Sequence, residues 1–211
     1  MKVVAFNGSP RSHGNTYDAI MIVLNELQKE GIETEIIHVG NKNIRGCIAC
    51  NKCKKNKDEK CAQTGDDVNE WIQRMKEADG IILGSPTHFS SVAGTMTSFL
   101  DRAFYVASSN NGLFRHKTGA SVVTVRRSGG MPTLDQLNRY ILYSEMFMPS
   151  SNYWNVIHGA IPGEALQDEE GTQIMKVLGR NMAMLMKSLD VAKGVIKAPE
   201  KEVKVFTNFI R

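Results

Sequence analysis

Residues 2–16 read KVVAFNGSPRSHGNT and set the architecture of this chain. The short apolar run 2–6 is typical of a buried strand, and the Asn-Gly-Ser-Pro that follows ends it with turn-forming residues. Asn15 then begins a segment whose apolar residues recur at helical spacing as far as Leu27. The segment therefore predicts a strand, a loop and a helix in succession.

The same alternation recurs along the chain. Further strands are predicted over residues 33–39, 80–85, 121–125 and 153–157, with a helical pattern between each pair, and a final helix over 168–189. Strands that alternate with helices form a parallel sheet with helices on both faces, and such sheets bind ligands at the carboxyl ends of the strands. The predicted fold class is therefore α/β with a five-stranded parallel sheet.

The last segment, residues 191–211, does not continue this pattern. Within it, Val203 to Phe206 is compatible with a short strand or with an arm that holds a neighbouring subunit. A chain of 211 residues is long enough for one α/β domain with its own core. We therefore predict one domain over residues 1–190 and a C-terminal tail or oligomerisation arm over 191–211.

Charge and hydropathy exclude several classes of protein. The chain has 26 basic and 22 acidic residues, and apart from four lysines at positions 52–57 the basic residues are scattered, unlike a nucleic-acid-binding stripe. No apolar run approaches the roughly 20 residues that a membrane helix needs, and no apolar signal core precedes Asn7. We expect a cytoplasmic protein that neither spans a membrane nor binds nucleic acid.

The loop between the first strand and the first helix is rich in groups that bind anions. Free amides and the helix dipole attract phosphate at a helix N-terminus, and glycines let the backbone approach it closely. The loop lacks both the Gly-Lys-Ser/Thr of a nucleoside-triphosphate loop and the Gly-x-Gly-x-x-Gly of a dinucleotide-binding turn. We predict a monophosphate site, with an ordinary capped loop as the alternative. Its residues are Ser9, Arg11, Ser12, Gly14, Asn15 and Thr16.

Taken with residues 84–89 (GSPTHF) and 99–102 (FLDR), this loop resembles the NADPH-dependent FMN reductases of flavodoxin-like fold. The likeness covers roughly residues 1–130, and it implies a three-layer sandwich with strand order 2-1-3-4-5. It also implies that the first loop binds the FMN phosphate and that two later loops bind the flavin ring. The ring-binding residues are Pro86, Thr87, His88, Phe89, Arg126, Ser128, Gly129 and Gly130.

The four cysteines of the chain lie together in a loop over residues 44–62, at Cys47, Cys50, Cys53 and Cys61. In a chain of this length without a secretory signal, such clustering suits metal binding or redox chemistry better than structural disulfides. Three closely spaced thiols and a fourth nearby can bind a [4Fe–4S] cluster, whereas zinc sites usually use two separated pairs. The motif resembles that of the iron–sulfur flavoproteins, which carry a [4Fe–4S] cluster beside FMN. Zinc, thiol–disulfide chemistry and unused surface cysteines stay open as alternatives.

The resemblance implies an FMN-dependent oxidoreductase that passes electrons from NADPH or NADH through bound FMN to a quinone, a flavin or another small acceptor. Because the flavin performs the chemistry, no side chain is nominated as catalytic. Two other functions stay open: an electron carrier that uses FMN and a [4Fe–4S] cluster with a ferredoxin-like partner, and a non-catalytic flavin-binding regulator. The resemblance also implies a homodimer or homotetramer.

Overall fold

The computed structural model describes residues 1–207, in which strands and helices alternate. The strands are β1 (Lys2–Asn7), β2 (Glu33–His38), β3 (Gly80–His88), β4 (Ser91–Val92), β5 (Thr118–Val125) and β6 (Val156–His158). The α-helices are α1 (Asn15–Lys29), α2 (Lys52–Asn56), α3 (Val68–Glu77), α4 (Gly94–Ser109), α5 (Gly130–Tyr143) and α6 (Glu169–Ala192). A 3-10 helix covers Glu164–Gln167. No helix within residues 1–207 is both apolar enough and long enough to cross a bilayer.

The main sheet has five parallel strands in the order β2-β1-β3-β5-β6, which confirms the predicted order. The additional strand β4 was not predicted, and it pairs antiparallel with the end of β3. In the register of the central strands, Asn7 at the end of β1 lies beside Gly84, and Gly84 lies beside Val122 of β5. The carboxyl ends of these strands therefore open on one edge of the sheet.

Helices cover both faces of this sheet, as the pattern predicted. Helices α1 and α6 bury one apolar layer against it, and α3, α4 and α5 bury the other. On the second face the ring of Phe6 packs 4.8 Å from that of Phe99 and 6.4 Å from that of Trp71. Residues 80–85 are buried throughout, which explains why β3 has a continuous apolar run rather than an alternating one.

The structure corrects several of the predicted boundaries; β5, for example, begins at Thr118 rather than at residue 121. Residues 86–88 belong to β3 rather than to a loop, because Phe89 and Ser90 both adopt left-handed φ angles, +49° and +58°, and turn the chain tightly into β4. The last strand is shorter than predicted and begins at Val156. The segment 203–206 forms no strand within the described part of the chain, and residues 208–211 of the predicted tail lie outside it.

A buried carboxylate connects the two helices on the first face. Glu26 of α1 accepts hydrogen bonds from Lys29 Nζ at 2.6 Å and from Arg180 Nε of α6 at 2.8 Å. Helix α6 comes close at this point because Gly179 has no side chain; a Cβ there would lie 2.8 Å from Glu26 Cβ. The bonds from Lys29 and Arg180 lower the pKa of Glu26 below its ordinary value of 4.5.

This lowered pKa makes stability depend on pH. Because the folded chain favours ionised Glu26, its contribution is fully present above pH 4.5 and is lost as the pH falls through the lower folded pKa. Glu26→Gln should lower the free energy of unfolding at neutral pH by about 1 kcal/mol and should flatten the acid dependence in urea titrations. Glu30→Gln, at the exposed residue that directly follows α1, is the control and should keep the wild-type acid dependence. Superimposable acid profiles for wild type and Glu26→Gln would contradict this role.

Candidate functional site

The predicted phosphate loop, residues 8–14, is shaped by hydrogen bonds from its own flanks. The side chain of Asn7 accepts from the Ser9 amide at 3.0 Å and donates to the Ser12 carbonyl at 3.2 Å. Ser9 Oγ accepts from the Arg11 amide at 3.2 Å, and His38 Nε2 lies 2.7 Å from the Ser9 carbonyl. Asn7 and His38 were not predicted to take part, because nothing in the local sequence shows these bonds.

The groups that remain available at this loop suit an anion. The amide of Asp18 is the first in α1 to donate to a preceding carbonyl, that of Gly14, at 3.0 Å. The amides before it, at the start of the helix, lack such intrahelical acceptors, as at any helix N-terminus. The side chains of Arg11 and Ser12 are exposed beside them. The loop therefore offers backbone donors, a cation and a hydroxyl.

Two of the predicted phosphate ligands use their side chains elsewhere. Asn15 Oδ1 accepts from the amide of Ala165 in the 3-10 helix at 3.2 Å. The buried hydroxyl of Thr16 lies 2.7 Å from that of Thr124 on β5, which ties α1 to the sheet. Asn15 and Thr16 therefore hold the loop in place, and their backbone amides remain free to face an anion.

The β3–β4 hairpin carries the first group of predicted ring-binding residues. Phe89 at its tip is fully exposed and has no apolar cover within residues 1–207, and His88 beside it is also exposed. The hydroxyl of Thr87 is buried but has no hydrogen-bond partner in the described part of the chain. The hairpin thus combines an uncovered aromatic face with an unsatisfied polar atom.

The second predicted ring-binding loop, residues 126–130, contacts this hairpin. Gly129 precedes α5 with φ +87°, and a Cβ at that position would lie 2.5 Å from Ser90 Oγ, so only glycine fits. Arg126 and Ser128 are exposed, whereas Gly130 is buried at the start of α5. The structure therefore brings the two ring-binding segments together.

The phosphate loop joins the same edge of the sheet. The amide of Gly8 donates to the carbonyl of Gly84 at 2.8 Å, just before the hairpin segment of β3. A Cβ on Gly8 would lie 2.8 Å from Met96 Cβ, so the close approach of β1 to α4 requires glycine here. All three predicted flavin-binding segments consequently lie at the carboxyl edge of the sheet.

The four cysteines line one small cavity beside α4, together with Arg102 and Tyr105. Cys47 and Cys50 are exposed, Cys61 is partly buried and Cys53 is buried, which raises the pKa of the Cys53 thiol. Within residues 1–207, no three His, Cys, Asp or Glu side chains gather closely enough to hold a single metal ion. The four cysteine residues therefore line a common small cavity, and within the described residues they form no three-ligand site for a single ion.

The cysteine loop follows an unusual backbone path. Four non-glycine residues in it have left-handed φ angles between +52° and +59°: Ala49, Asn51, Lys57 and Glu59. Side chains from two helices hold this path. Tyr105 Oη donates to Asn51 Oδ1 at 2.6 Å. The side-chain amide of Asn69 accepts from the backbone N–H of Cys61 at 2.7 Å and donates to the carbonyl of Cys61 at 3.0 Å.

The side chain of Arg102 in α4 is fully buried and holds this loop through hydrogen bonds. It forms two bonds to Asp66, at 2.5 and 3.0 Å, and donates to the carbonyls of Arg45 and Gln63 and to Cys61 Sγ. Burial opposes the charge of Arg102, but the bonds to Asp66 and Cys61 outweigh that effect and raise its pKa. The FLDR motif contained Arg102, yet no role was assigned to it. The sequence feature that could have indicated a buried, hydrogen-bonded side chain was an arginine within the apolar run of α4.

Comparisons with known proteins agree with this arrangement. The family described as NADPH-dependent FMN reductase matches residues 1–160. An iron–sulfur flavoprotein of Methanocaldococcus jannaschii is 37% identical over 194 residues, which cover 89% of this chain and 98% of that protein. Another, from Archaeoglobus fulgidus, is 30% identical over 202 residues, covering 95% and 96% of the two chains.

A solved structure confirms the fold independently of these sequence relatives. An archaeal flavodoxin superposes with a TM-score of 0.58 at 19% identity, covering 89% of this chain and 99% of that one. A likeness at this identity concerns the fold alone, which is therefore flavodoxin-like. The family match and the sequence relatives show that the chain belongs to the NADPH-dependent FMN reductase family, in its iron–sulfur flavoprotein branch, and is a flavoprotein oxidoreductase.

Proposed function

We propose that this protein takes electrons from NADPH or NADH onto bound FMN and passes them to a second acceptor. The observation that carries the proposal is the meeting of an anion-binding loop and two ring-binding segments at one edge of the sheet. FMN has one phosphate and one flat ring, so it matches both halves of this site. The family membership of the chain supports the same cofactor.

The residues present fit FMN in chemical terms. The amides at the start of α1, with Arg11 and Ser12, supply donors for a phosphate dianion. The exposed ring of Phe89 offers a surface for stacking, and the buried hydroxyl of Thr87 lacks the partner that a polar ring edge would provide. The proposed site therefore satisfies groups that the protein leaves unsatisfied.

Bound FMN would supply the redox chemistry, and the protein would supply binding and electrostatics. In this proposal Phe89 and the backbone around Gly129 orient the ring, and Arg126 stabilises negative charge that develops on it. None of these roles requires a side chain to transfer a proton. The proposed acceptor is a small molecule such as a quinone or flavin. The proposed working form is a homo-oligomer, as the family resemblance implies, and its proposed location is the cytoplasm.

A second function is favoured by the cysteine cavity. A [4Fe–4S] cluster takes one cysteine thiolate at each of four irons, so its ligands surround a volume instead of converging on one ion. The four cysteines line one cavity and form no three-ligand site for a single ion within the described residues, whereas a tetrahedral zinc site needs its ligands around a single point. We propose that Cys47, Cys50, Cys53 and Cys61 hold such a cluster. With it, the protein would carry electrons between FMN and a ferredoxin-like partner.

Anaerobic reduction kinetics test the proposed function. We expect protein purified without oxygen to contain FMN, and we expect NADPH or NADH to bleach the flavin absorbance in stopped-flow mixing. If neither nucleotide reduces the bound FMN while a reduced ferredoxin does, the reductase proposal is wrong and the carrier remains. A protein that binds no FMN when it is supplied in excess would contradict both.

The phosphate site is tested by removing two of its donors. Ser12→Ala combined with Arg11→Ala should raise the Kd for FMN about a hundredfold, since loss of bonds to a charged group costs about 3 kcal/mol in total. Fluorescence titration of apoprotein with FMN and with riboflavin measures the effect. Riboflavin lacks the phosphate, so its affinity should change much less. Arg74→Ala, which removes a partly exposed arginine from α3, is the charge control; an unchanged Kd for FMN in the double variant would remove the assignment.

The cluster is tested at an exposed ligand. Cys50→Ser should abolish the bound iron and the broad brown absorbance of anaerobically prepared protein, while FMN content stays at the wild-type level, because the two sites use separate segments. Lys55→Ser, in the same loop, is the control and should keep both. Full iron content in Cys50→Ser would rule out Cys50 as a ligand.

A further inference from the structure

The guanidinium of Arg102 has all five of its N–H donors satisfied inside the protein. Two donate to Asp66, and one each to the carbonyls of Arg45 (3.2 Å) and Gln63 (3.1 Å). The fifth, on Nε, points at Cys61 Sγ, 3.3 Å away. The carbonyl and carboxylate bonds fix the plane of the group. The bond to sulfur is therefore held in one direction.

This contact places a buried positive charge beside a sulfur. Among the residues that line the cysteine cavity in the described part of the chain, Arg102 is the only charged side chain. The loop lysines, such as Lys52 and Lys54, are exposed, so solvent and salt screen their charges. A buried charge is screened far less. A charge that develops at Cys61 consequently interacts more strongly with Arg102 than with the exposed lysines.

We propose that Arg102 raises the reduction potential of the iron–sulfur cluster, with Asp66 setting how much of its charge the cluster feels. This inference rests on the proposed cluster. Reduction of such a cluster would take one electron from reduced FMN or from an external reductant and would break no bond. An N–H bond to a ligand sulfur and a nearby positive charge both stabilise the more negative, reduced form. Arg102 is therefore a positioning and tuning residue rather than a ligand.

Two substitutions should move the potential in opposite directions. Arg102→Gln removes the charge and the N–H···S bond, so the ratio of reduced to oxidised cluster at a fixed potential should fall about tenfold, equal to about 59 mV for one electron. Asp66→Asn leaves the guanidinium without its counter-charge, so the potential should rise. The measurement is a redox titration monitored by electron paramagnetic resonance. Lys54→Gln, which removes an exposed charge beside Cys53, is the control and should shift the potential little.

Opposite shifts separate tuning from a merely structural role. A loosened loop would move the potential in the same direction in both variants, and that result would overturn the inference. If Arg102→Gln loses its iron, Asp66→Asn decides the question alone: a potential that falls or stays unchanged overturns it.

Wild-type protein gives a test that needs no variant. With arginine labelled by ¹⁵N in the guanidinium, the reduced cluster should show a ¹⁵N hyperfine coupling, and its absence overturns the inference. Failure of the proposed function is recognised separately, because wild-type protein that holds no iron after anaerobic reconstitution contradicts the cluster itself. If wild-type protein holds iron but shows no ¹⁵N coupling, and the two variants show no opposite shifts, only the role of Arg102 is contradicted.

Discussion

The buried ion pair between Arg102 and Asp66 connects the two candidate sites of this molecule. Burying a guanidinium is costly unless each of its donors finds a partner, and here the partners come from the cysteine loop and the segment after it. Arg102 lies about 12 Å along α4 from Gly94, where the helix leaves the ring-binding hairpin. Helix α4 therefore fixes the distance between the cysteine cavity and the carboxyl edge of the sheet, where FMN is proposed to bind.

At the carboxyl edge of the sheet, where FMN is proposed to bind, close approach of the backbone holds the binding segments together. Gly8 packs against Met96 of α4, Gly84 packs against Ile20 of α1, and Gly129 packs against Ser90. None of the three positions has space for a Cβ. Each contact brings one binding segment onto its neighbour. The site is thus formed mainly by main chain, and the side chains that project from it are left for the ligand.

The sequence predicted the sheet well because its strands are apolar runs between strong turn signals, of which residues 80–85 are the clearest. It did not predict the β3–β4 hairpin, because Phe89 and Ser90 are not residue types that favour left-handed φ angles. The spacing of the cysteines indicated a shared site, but only the fold shows that they line one cavity. The role of Arg102 was hidden because its partners lie 36 to 57 residues away along the chain.

In the proposed function, the two sites meet one electrostatic demand, the binding of a negatively charged redox group, by different physical means. The phosphate loop uses backbone amides and the exposed Arg11, so its field is shared with solvent and is weakened by salt. The cysteine cavity contains the buried Arg102, whose charge is screened much less by salt. Binding of a group through its phosphate is consequently expected to weaken as the salt concentration rises. A group bound beside Arg102 has its electronic properties set by the interior of the protein.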